Sequence, residues 1–465
     1  AKAGYSTAIL ERGDIASGSS SHCDAVALIC DKLPGIDTKM GQASIDYFAE
    51  IAEQFEYDFE YVPKGCLYVC ETQPEFDAAS EYCAKQNADG YKLRMVGREE
   101  LCKMEPHIAK DLAGALYTPE SGAIAVSPYK LCFAFIHEGR KYGLETYTYC
   151  DISKINLDAK TNAVESIETN YGTIKTKRIV NCAGAWAPFV GELTGLKIPI
   201  EPRKGTNLVS EQTERLCNHK ILEYGYMLSK FDNINFKRKV SPLVEEQNIA
   251  FNLEYTPSNN LLVGGNRLFR DYDIRSEIET LKAISERALR FFPELADIKC
   301  IRAYSGVRPF VIDHLPIVSD VDSIPGYYIA AGHEGDGICF SPITGRFMEQ
   351  IISGKPTDFD ITKLDFARFA KPGISFPFQR RVKIMEVNRR YGYFDTSNSN
   401  VTIQMRRGQN IAGYPIGIVY IEDVFYPMVP GNIVNGYTFP FPVRLKAVEG
   451  LDCQNLFDAA DGVYE

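Results

Sequence analysis

Apolar and polar positions in this chain fall into short blocks separated by glycine-rich turns, and three of these blocks carry a readable order. The first is at the start. Ala1-Lys2-Ala3-Gly4-Tyr5 reads as the last turn of a helix with Gly4 as its C-cap, and a short apolar strand, Thr7-Ala8-Ile9-Leu10, follows and ends at Glu11. That order is the second half of a βαβ nucleotide-binding unit, in which an acidic residue closing the second strand accepts hydrogen bonds from a ribose about 20 residues after a glycine-rich turn. Counting back from Glu11 places such a turn before residue 1, and no G-x-G-x-x-G occurs in the chain. The next stretch, Arg12 to His22, is small and hydroxyl-rich, and its backbone N–H groups with Ser19 and Ser20 are suitable donors to a pyrophosphate. Taken alone, Glu11 also reads as a surface carboxylate and the Ser/Gly loop as an ordinary turn.

In the second block, the hairpin strand Gly172 to Lys177 leads into a buried strand from Arg178. It stops at the small residues Ala183-Gly184-Ala185, just before Trp186, the only tryptophan. Small residues at the carboxyl end of a strand let a ligand approach the crevice of an open α/β sheet, although tight packing explains them equally. The third block is the most specific. A strand, Pro325 to Ala331, runs into the turn Gly332-His333-Glu334-Gly335-Asp336-Gly337-Ile338. A helix from Ser341 to Ile352 is predicted next, with Pro342 near its first turn and Gly354 just past its end. Strand, glycine turn and helix N-terminus present free N–H groups and the positive end of a dipole to an electron-rich ligand.

Composition narrows the classes. The 465 residues suggest two to four domains, and 45% hydrophobic with 24% charged residues is an ordinary globular balance. The net charge of −10 argues against nucleic acid as a partner. The longest uncharged run, Val424 to Val443, is broken by Pro427, Pro430, Pro440 and Pro442, so no transmembrane segment is predicted, and with no basic-then-apolar leader the expected location is cytoplasmic. The 13 cysteines are scattered and odd in number, which suits reduced thiols. Cys66 and Cys70 flank a strand-like Leu67-Tyr68-Val69 that puts both on one face, a core pair rather than a metal site; no metal is predicted.

In this order the three blocks make the sequence resemble the FAD-dependent D-amino-acid oxidase superfamily, in the branch of glycine oxidase, sarcosine oxidase, D-amino-acid and proline dehydrogenases and the hydrogen cyanide synthase flavoprotein subunit. The likeness rests on Leu10-Glu11-Arg12-Gly13 with Gly18-Ser19-Ser20, on Val180 to Trp186, on Gly306-Val307-Arg308-Pro309 and on Gly332 to Gly337, and it spans about residues 1–370. It implies an α/β (mixed α+β) fold: a Rossmann-like FAD domain lacking its first strand and glycine turn, from 1–40, 145–200 and 300–370. A mixed-sheet substrate domain is interleaved with it, from 41–144 and 201–299.

The resemblance also implies roles. Glu11 would hold the adenosine ribose, Arg12 would be among the cofactor-binding residues, Ser19 and Ser20 would lie near the pyrophosphate, and Ile152 would contact the adenine through its backbone. Ala183, Gly184, Trp186, Gly306 and Gly332 would border the cofactor, with Gly335, Asp336, Gly337 and Ile338 at the flavin pyrimidine edge. Arg308 would clamp a substrate carboxylate bidentately; its alternative is a structural pair with Asp313. His333 is a catalytic candidate or a supporting histidine, Tyr255 a candidate to cap the substrate, and His22 matches the spacing of a histidine joined covalently to FAD in dimethylglycine and sarcosine dehydrogenases. The implied reaction is transfer of the Cα hydride of a small amino acid (a D-amino acid, proline, glycine or sarcosine) to flavin N5. Alternatives are a flavin dehydrogenase of a hydroxy acid or glycerol phosphate, and a composite chain that does not bind FAD productively. An electron-acceptor protein or partner subunit is a possible partner.

After Phe369 the text changes. Residues 371–404 read as a linker, and residues 405–465 are similar to the opening of aspartate/glutamate racemase-like proteins, an incomplete α/β unit. Cys453 sits in no racemase motif, so no racemase activity is expected.

Overall fold

The computed structural model describes residues 1–24, 26–231 and 237–369, and beyond them the backbone of three strands. The chain divides into two units, Ala1–Ile374 and Ser375–Glu465. In the second unit Val401–Gln404, Gly417–Ile421 and Val424–Met428 pair successively antiparallel. The segment over which the likeness to a racemase-like opening is expected, 405–465, lies otherwise outside the described residues, Cys453 included.

In the first unit the elements that build the site are, in chain order, β1 (Ala8–Leu10), α1 (Ile36–Gln54), β2 (Cys66–Cys70), β3 (Arg94–Gly97), β4 (Gly114–Thr118), β5 (Glu145–Tyr147), β6 (Ile179–Asn181), β7 (Ile200–Gln212), β8 (Lys220–Glu223), β9 (Ile249–Tyr255), β10 (Asn260–Asn266), β11 (Leu268–Phe269), α2 (Ile278–Phe291), β12 (Cys300–Val311), β13 (Ile317–Asp320), β14 (Tyr327–Ala331) and α3 (Gly337–Ile352). β1 pairs parallel with β5, and β6 pairs parallel with β14, which is antiparallel to β13. Nine strands form one large mixed sheet: β12 lies along β7, β7 pairs with β10 and β11, and β9, β8, β2, β4 and β3 follow.

The two faces of the large sheet are unlike. One carries Leu67, Val69, Leu208, Ile221, Phe251, Leu253, Leu261 and Val263 and packs against α2 through Ala283, Ile284, Ala288 and Phe291, an i, i+1, i+5, i+8 stripe fitting a helix face. The other face, fixed by register, carries Arg308, Gly306 and Tyr304 of β12 opposite Arg203, Gly205 and Asn207 of β7, and Asn252 of β9 opposite Gly264 of β10. On β2, β4 and β8 this face is apolar, with Cys66, Tyr68, Cys70, Leu116 and Leu222 buried, but over β7, β9 and β12 it carries charged and amide side chains, the kind of surface that needs polar partners.

The predicted helix over 341–352 starts four residues earlier, so the last residues of the glycine turn form its first turn and Pro342 lies inside it. A proline there cannot donate to the carbonyl of Ile338. Ser341 supplies the donor instead, its Oγ lying 3.0 Å from that carbonyl. Gly354, at φ +66°, ends the helix as expected. At the start of the chain Gly4 takes φ +88° and its N–H donates to Ala1, a single turn rather than a described helix. The twelve described cysteines are free thiols, and Cys66 and Cys70 are buried on one face of β2.

Among the described residues no helix is long and apolar enough to cross a membrane.

Candidate functional site

The site is assembled around β12. Ser19 Oγ donates to the Val307 carbonyl at 2.5 Å. One residue back, a Cβ on Gly306 would stand 2.4 Å from Cβ of His22, so only glycine lets the 19–22 turn lie against the strand. The glycine turn docks on the next residues: the Glu334 N–H donates to the Pro309 carbonyl at 3.1 Å. A Cβ on Gly335 would meet Arg308 Cδ and Nε at 3.6 Å, so the bare backbone of the turn faces the arginine stem.

Arg308 lies over Gly205 of β7, where a Cβ would come within 2.1 Å of its Nη1. Sequence reading missed Gly205; its signal was a glycine inside a long strand, Ile200–Gln212. The Arg308 guanidinium donates to the carbonyls of Asn266 at 2.9 Å and Lys204 at 3.3 Å. Among the described residues no carboxylate forms an ion pair with it, and Asp313, the structural alternative, is held by Arg368 at 2.7 Å. Burial lowers the Arg308 pKa and the neighbouring Arg267 adds to this, yet an arginine stays charged. A half-buried cation whose partners among the described residues are two neutral acceptors is chemically able to take an anion.

Around it on the same face, Lys220 Nζ is 3.0 Å from Asp24, 3.3 Å from Asn252 and 3.4 Å from Glu254. Arg267 stacks its guanidinium 3.8 Å above the Tyr226 ring. The alternation Phe251-Asn252-Leu253-Glu254 is the sequence signal for a two-sided strand. Tyr255 has the opposite parity. Its hydroxyl accepts from the Leu216 N–H at 2.7 Å and donates to the Glu214 carbonyl, and its ring packs on the α2 side. The structure therefore does not bring Tyr255 to Arg308.

The nucleotide-side candidates gather separately. Glu11 Oε1 accepts the Gly13 N–H at 2.7 Å, and the Glu11 carbonyl accepts the N–H of Cys150, two residues before Ile152. Arg12 lies 5.5 Å from the centroid of Trp186, which stacks on Tyr272 at 5.4 Å, and Gly18 passes the same indole. The Ala183 N–H donates to Asn181 Oδ1, and Gly184, at φ +54°, opens the 3-10 turn that carries Trp186. The buried indole N–H of Trp186 has no partner among the described residues. Ser20 uses its carbonyl to accept from Cys23 Sγ.

Asp336, at the N-cap of α3, turns its carboxylate onto two buried ammonium groups, Lys32 and Lys230, each at 2.8 Å. Burial would raise its pKa, but Lys230 and Lys32 overcome this and hold it far below the usual range. Lys32 also pairs with Asp31, and Asp37 lies close enough for burial, with Asp336, to push its pKa up to about 7. These lysines come from distant segments with no local motif, so the sequence did not reveal them. Gly337 and Ile338 form the first turn of α3, whose leading N–H groups lack intrahelical partners. Gly332 has φ +82°, and a Cβ there would clash with Val311.

His333 turns its ring to Thr344, Nε2 lying 3.0 Å from Oγ1, and burial lowers its pKa to about 4. His22 Nδ1 lies 2.8 Å from the Gly18 carbonyl; a carbonyl only accepts, so Nδ1 carries the hydrogen. Among the described residues one group, exposed Glu56 and His137 with half-buried Glu138, has metal-ligand spacing, but Lys141 pairs with both glutamates.

Residues 1–351 match the DAO family, described as FAD dependent oxidoreductase. The chain is 26% identical over 322 residues to the hydrogen cyanide synthase subunit HcnC of Pseudomonas aeruginosa, covering 69% of this chain and 70% of that protein. It is 26% identical over 378 residues to the glycine oxidase of Geobacillus kaustophilus, covering 79% and 92%. Its fold is similar to that of L-proline dehydrogenase from P. horikoshii, with TM-score 0.69, 22% identity and coverage of 79% and 92%. The site fits the cofactor of that family: an orphaned indole N–H at Trp186, a carboxylate closing β1, and an unsatisfied helix N-terminus beside glycines that a Cβ would fill. The chain belongs to the DAO family of FAD-dependent oxidoreductases.

Proposed function

We propose that this protein oxidises a small amino acid at its C–N bond, leaving an imine that water hydrolyses to an oxo acid and an amine or ammonia. FAD, when bound, supplies the hydride acceptor at N5, drawing the hydride from the substrate Cα. The observation that carries the reading is Arg308, a half-buried guanidinium on a polar stretch of the sheet, hydrogen-bonded among the described residues to carbonyls and lying in van der Waals contact with the bare backbone of Gly335. Arg308 takes the substrate carboxylate through two parallel N–H donors, which fixes the direction of the Cα–H. Gly205 keeps the guanidinium against the sheet. The N-terminus of α3 offers its N–H groups to negative charge that develops during reduction.

Similarity to glycine oxidase and to the mouse mitochondrial dimethylglycine dehydrogenase supports an amine as substrate. In this reading residues 1–40, 145–200 and 300–370 hold FAD, and 41–144 and 201–299 build the substrate side.

The test is anaerobic mixing of FAD-loaded protein with glycine, sarcosine, proline and D-alanine, following the flavin band at about 450 nm. At least one amine should bleach the band, and Arg308→Met should slow that bleaching by about 100-fold with the ligand-free spectrum unchanged. Bleaching by glycerol phosphate or a 2-hydroxy acid alone, or an Arg308→Met protein as fast as the parent, overturns the proposal.

A further inference from the structure

We infer that the side chain of Asn266 binds the α-nitrogen of the substrate whose carboxylate Arg308 holds; this rests on the amino-acid reading above. Asn266 ends β10 and is 1% exposed. Both its amide atoms, Oδ1 and Nδ2, are buried without a hydrogen-bond partner among the described residues. An unmet amide in the interior is costly, and nearly all buried polar groups find partners, so one left open beside a candidate site points to a ligand.

Its position gives the ligand atom. The Asn266 carbonyl accepts from Arg308 Nη1 at 2.9 Å, so the same residue braces the arginine and presents its own amide next to it. Between the Asn207–Gly264 and Lys204–Leu268 pairs the register slips by one residue. Such a bulge re-aims side chains at the end of a strand. In an α-amino acid the nitrogen is separated from the carboxylate carbon by one atom, so the groups that hold the two must themselves be neighbours. Oδ1 accepts from the amine N–H, and this leaves the nitrogen lone pair free when the amine is neutral. The neighbouring polar groups on the face are already engaged: Asn252 and Asp24 with Lys220. Asn266 differs from them in having both amide atoms unpaired among the described residues, directly beside Arg308.

Two measurements on the full-length protein test this. In the first, Asn266→Ala is compared with the parent for KM of the amine substrate and for flavin spectral perturbation by propionate, a carboxylate without an amine. KM should rise about tenfold, with propionate affinity within twofold and the ligand-free spectrum unchanged. Equal loss of both ligands, or a shifted ligand-free flavin spectrum, refutes the inference, since Asn266 then acts on Arg308 or on the cofactor. In the second, the ligand-free Asn266→Leu protein should melt about 2 °C or more above the parent, because an unmet amide is replaced by an apolar group of similar size. A lower melting temperature shows a structural role and contradicts the inference. The melting experiment needs no substrate, so it stands even if no amine is oxidised, an outcome that would count against the proposed function instead.

Discussion

His22 and Ser19 share one short loop, yet Ser19 Oγ and His22 Nδ1 are bonded to protein. Ser19 gives its hydroxyl to Val307, and His22 gives its Nδ1 hydrogen to Gly18 while its ring meets the edge of Tyr304 at 6.3 Å. Both bonds fix the loop on β12, which is a sufficient reason for each residue to be there. FAD bound to this protein is therefore expected to be released into the supernatant by acid precipitation; flavin fluorescence remaining on the denatured band in a gel would show a covalent link at His22. At the same scale, one-residue parity decided two readings. Arg308 was legible because its Gly-x-Arg-Pro setting is local, whereas Tyr255 was chosen by type and falls on the α2 face. Its neighbour Glu254 falls on the face that carries Arg308.

Strand pairing explains what no local motif shows. Arg308 needs Gly205, about 100 residues away, because β7 and β12 lie side by side with Gly205 opposite Gly306. A Gly205→Ala substitution puts a methyl where Nη1 now lies, so the guanidinium must leave its seat. Activity with the amine substrate should fall by at least about tenfold while the flavin spectrum is retained, and kinetics beside the spectrum check it. Helix α3 was legible in type and end, since Gly354 stops it, but not in its start. A proline near position 342 suggested a first turn; the Ser341 hydroxyl, which replaces the missing donor, let the helix begin at Gly337. That shift matters for the site, because it makes Gly337 and Ile338 helical N–H donors rather than loop residues.

Across the molecule, the order of strand, turn and helix signals sufficed for the family, but the buried charge beneath α3 arises from tertiary assembly. Asp31, Lys32 and Asp37 precede or open α1, Lys230 follows β8, and Asp336 caps α3. Burial holds Asp37 protonated up to about pH 7, whereas in the unfolded chain it ionises near its ordinary value of 3.8. Between these values the folded state holds a proton that the unfolded state has lost, so stability falls as pH rises through that window. Asp37→Asn should therefore raise the melting temperature at pH 8 and leave it unchanged at pH 4; a lower melting temperature at pH 8 would mean that the ionised carboxylate stabilises the network.

The central claim is that hydride leaves the Cα of an amino acid held by Arg308. It is tested most directly by single-turnover flavin reduction with the amine substrate carrying hydrogen or deuterium at Cα. Bleaching should be slower with the deuterated substrate by about threefold or more, because breaking that bond lies on the path to the reduced flavin. Equal rates for the two isotopologues, or no bleaching with any amino acid, would contradict it.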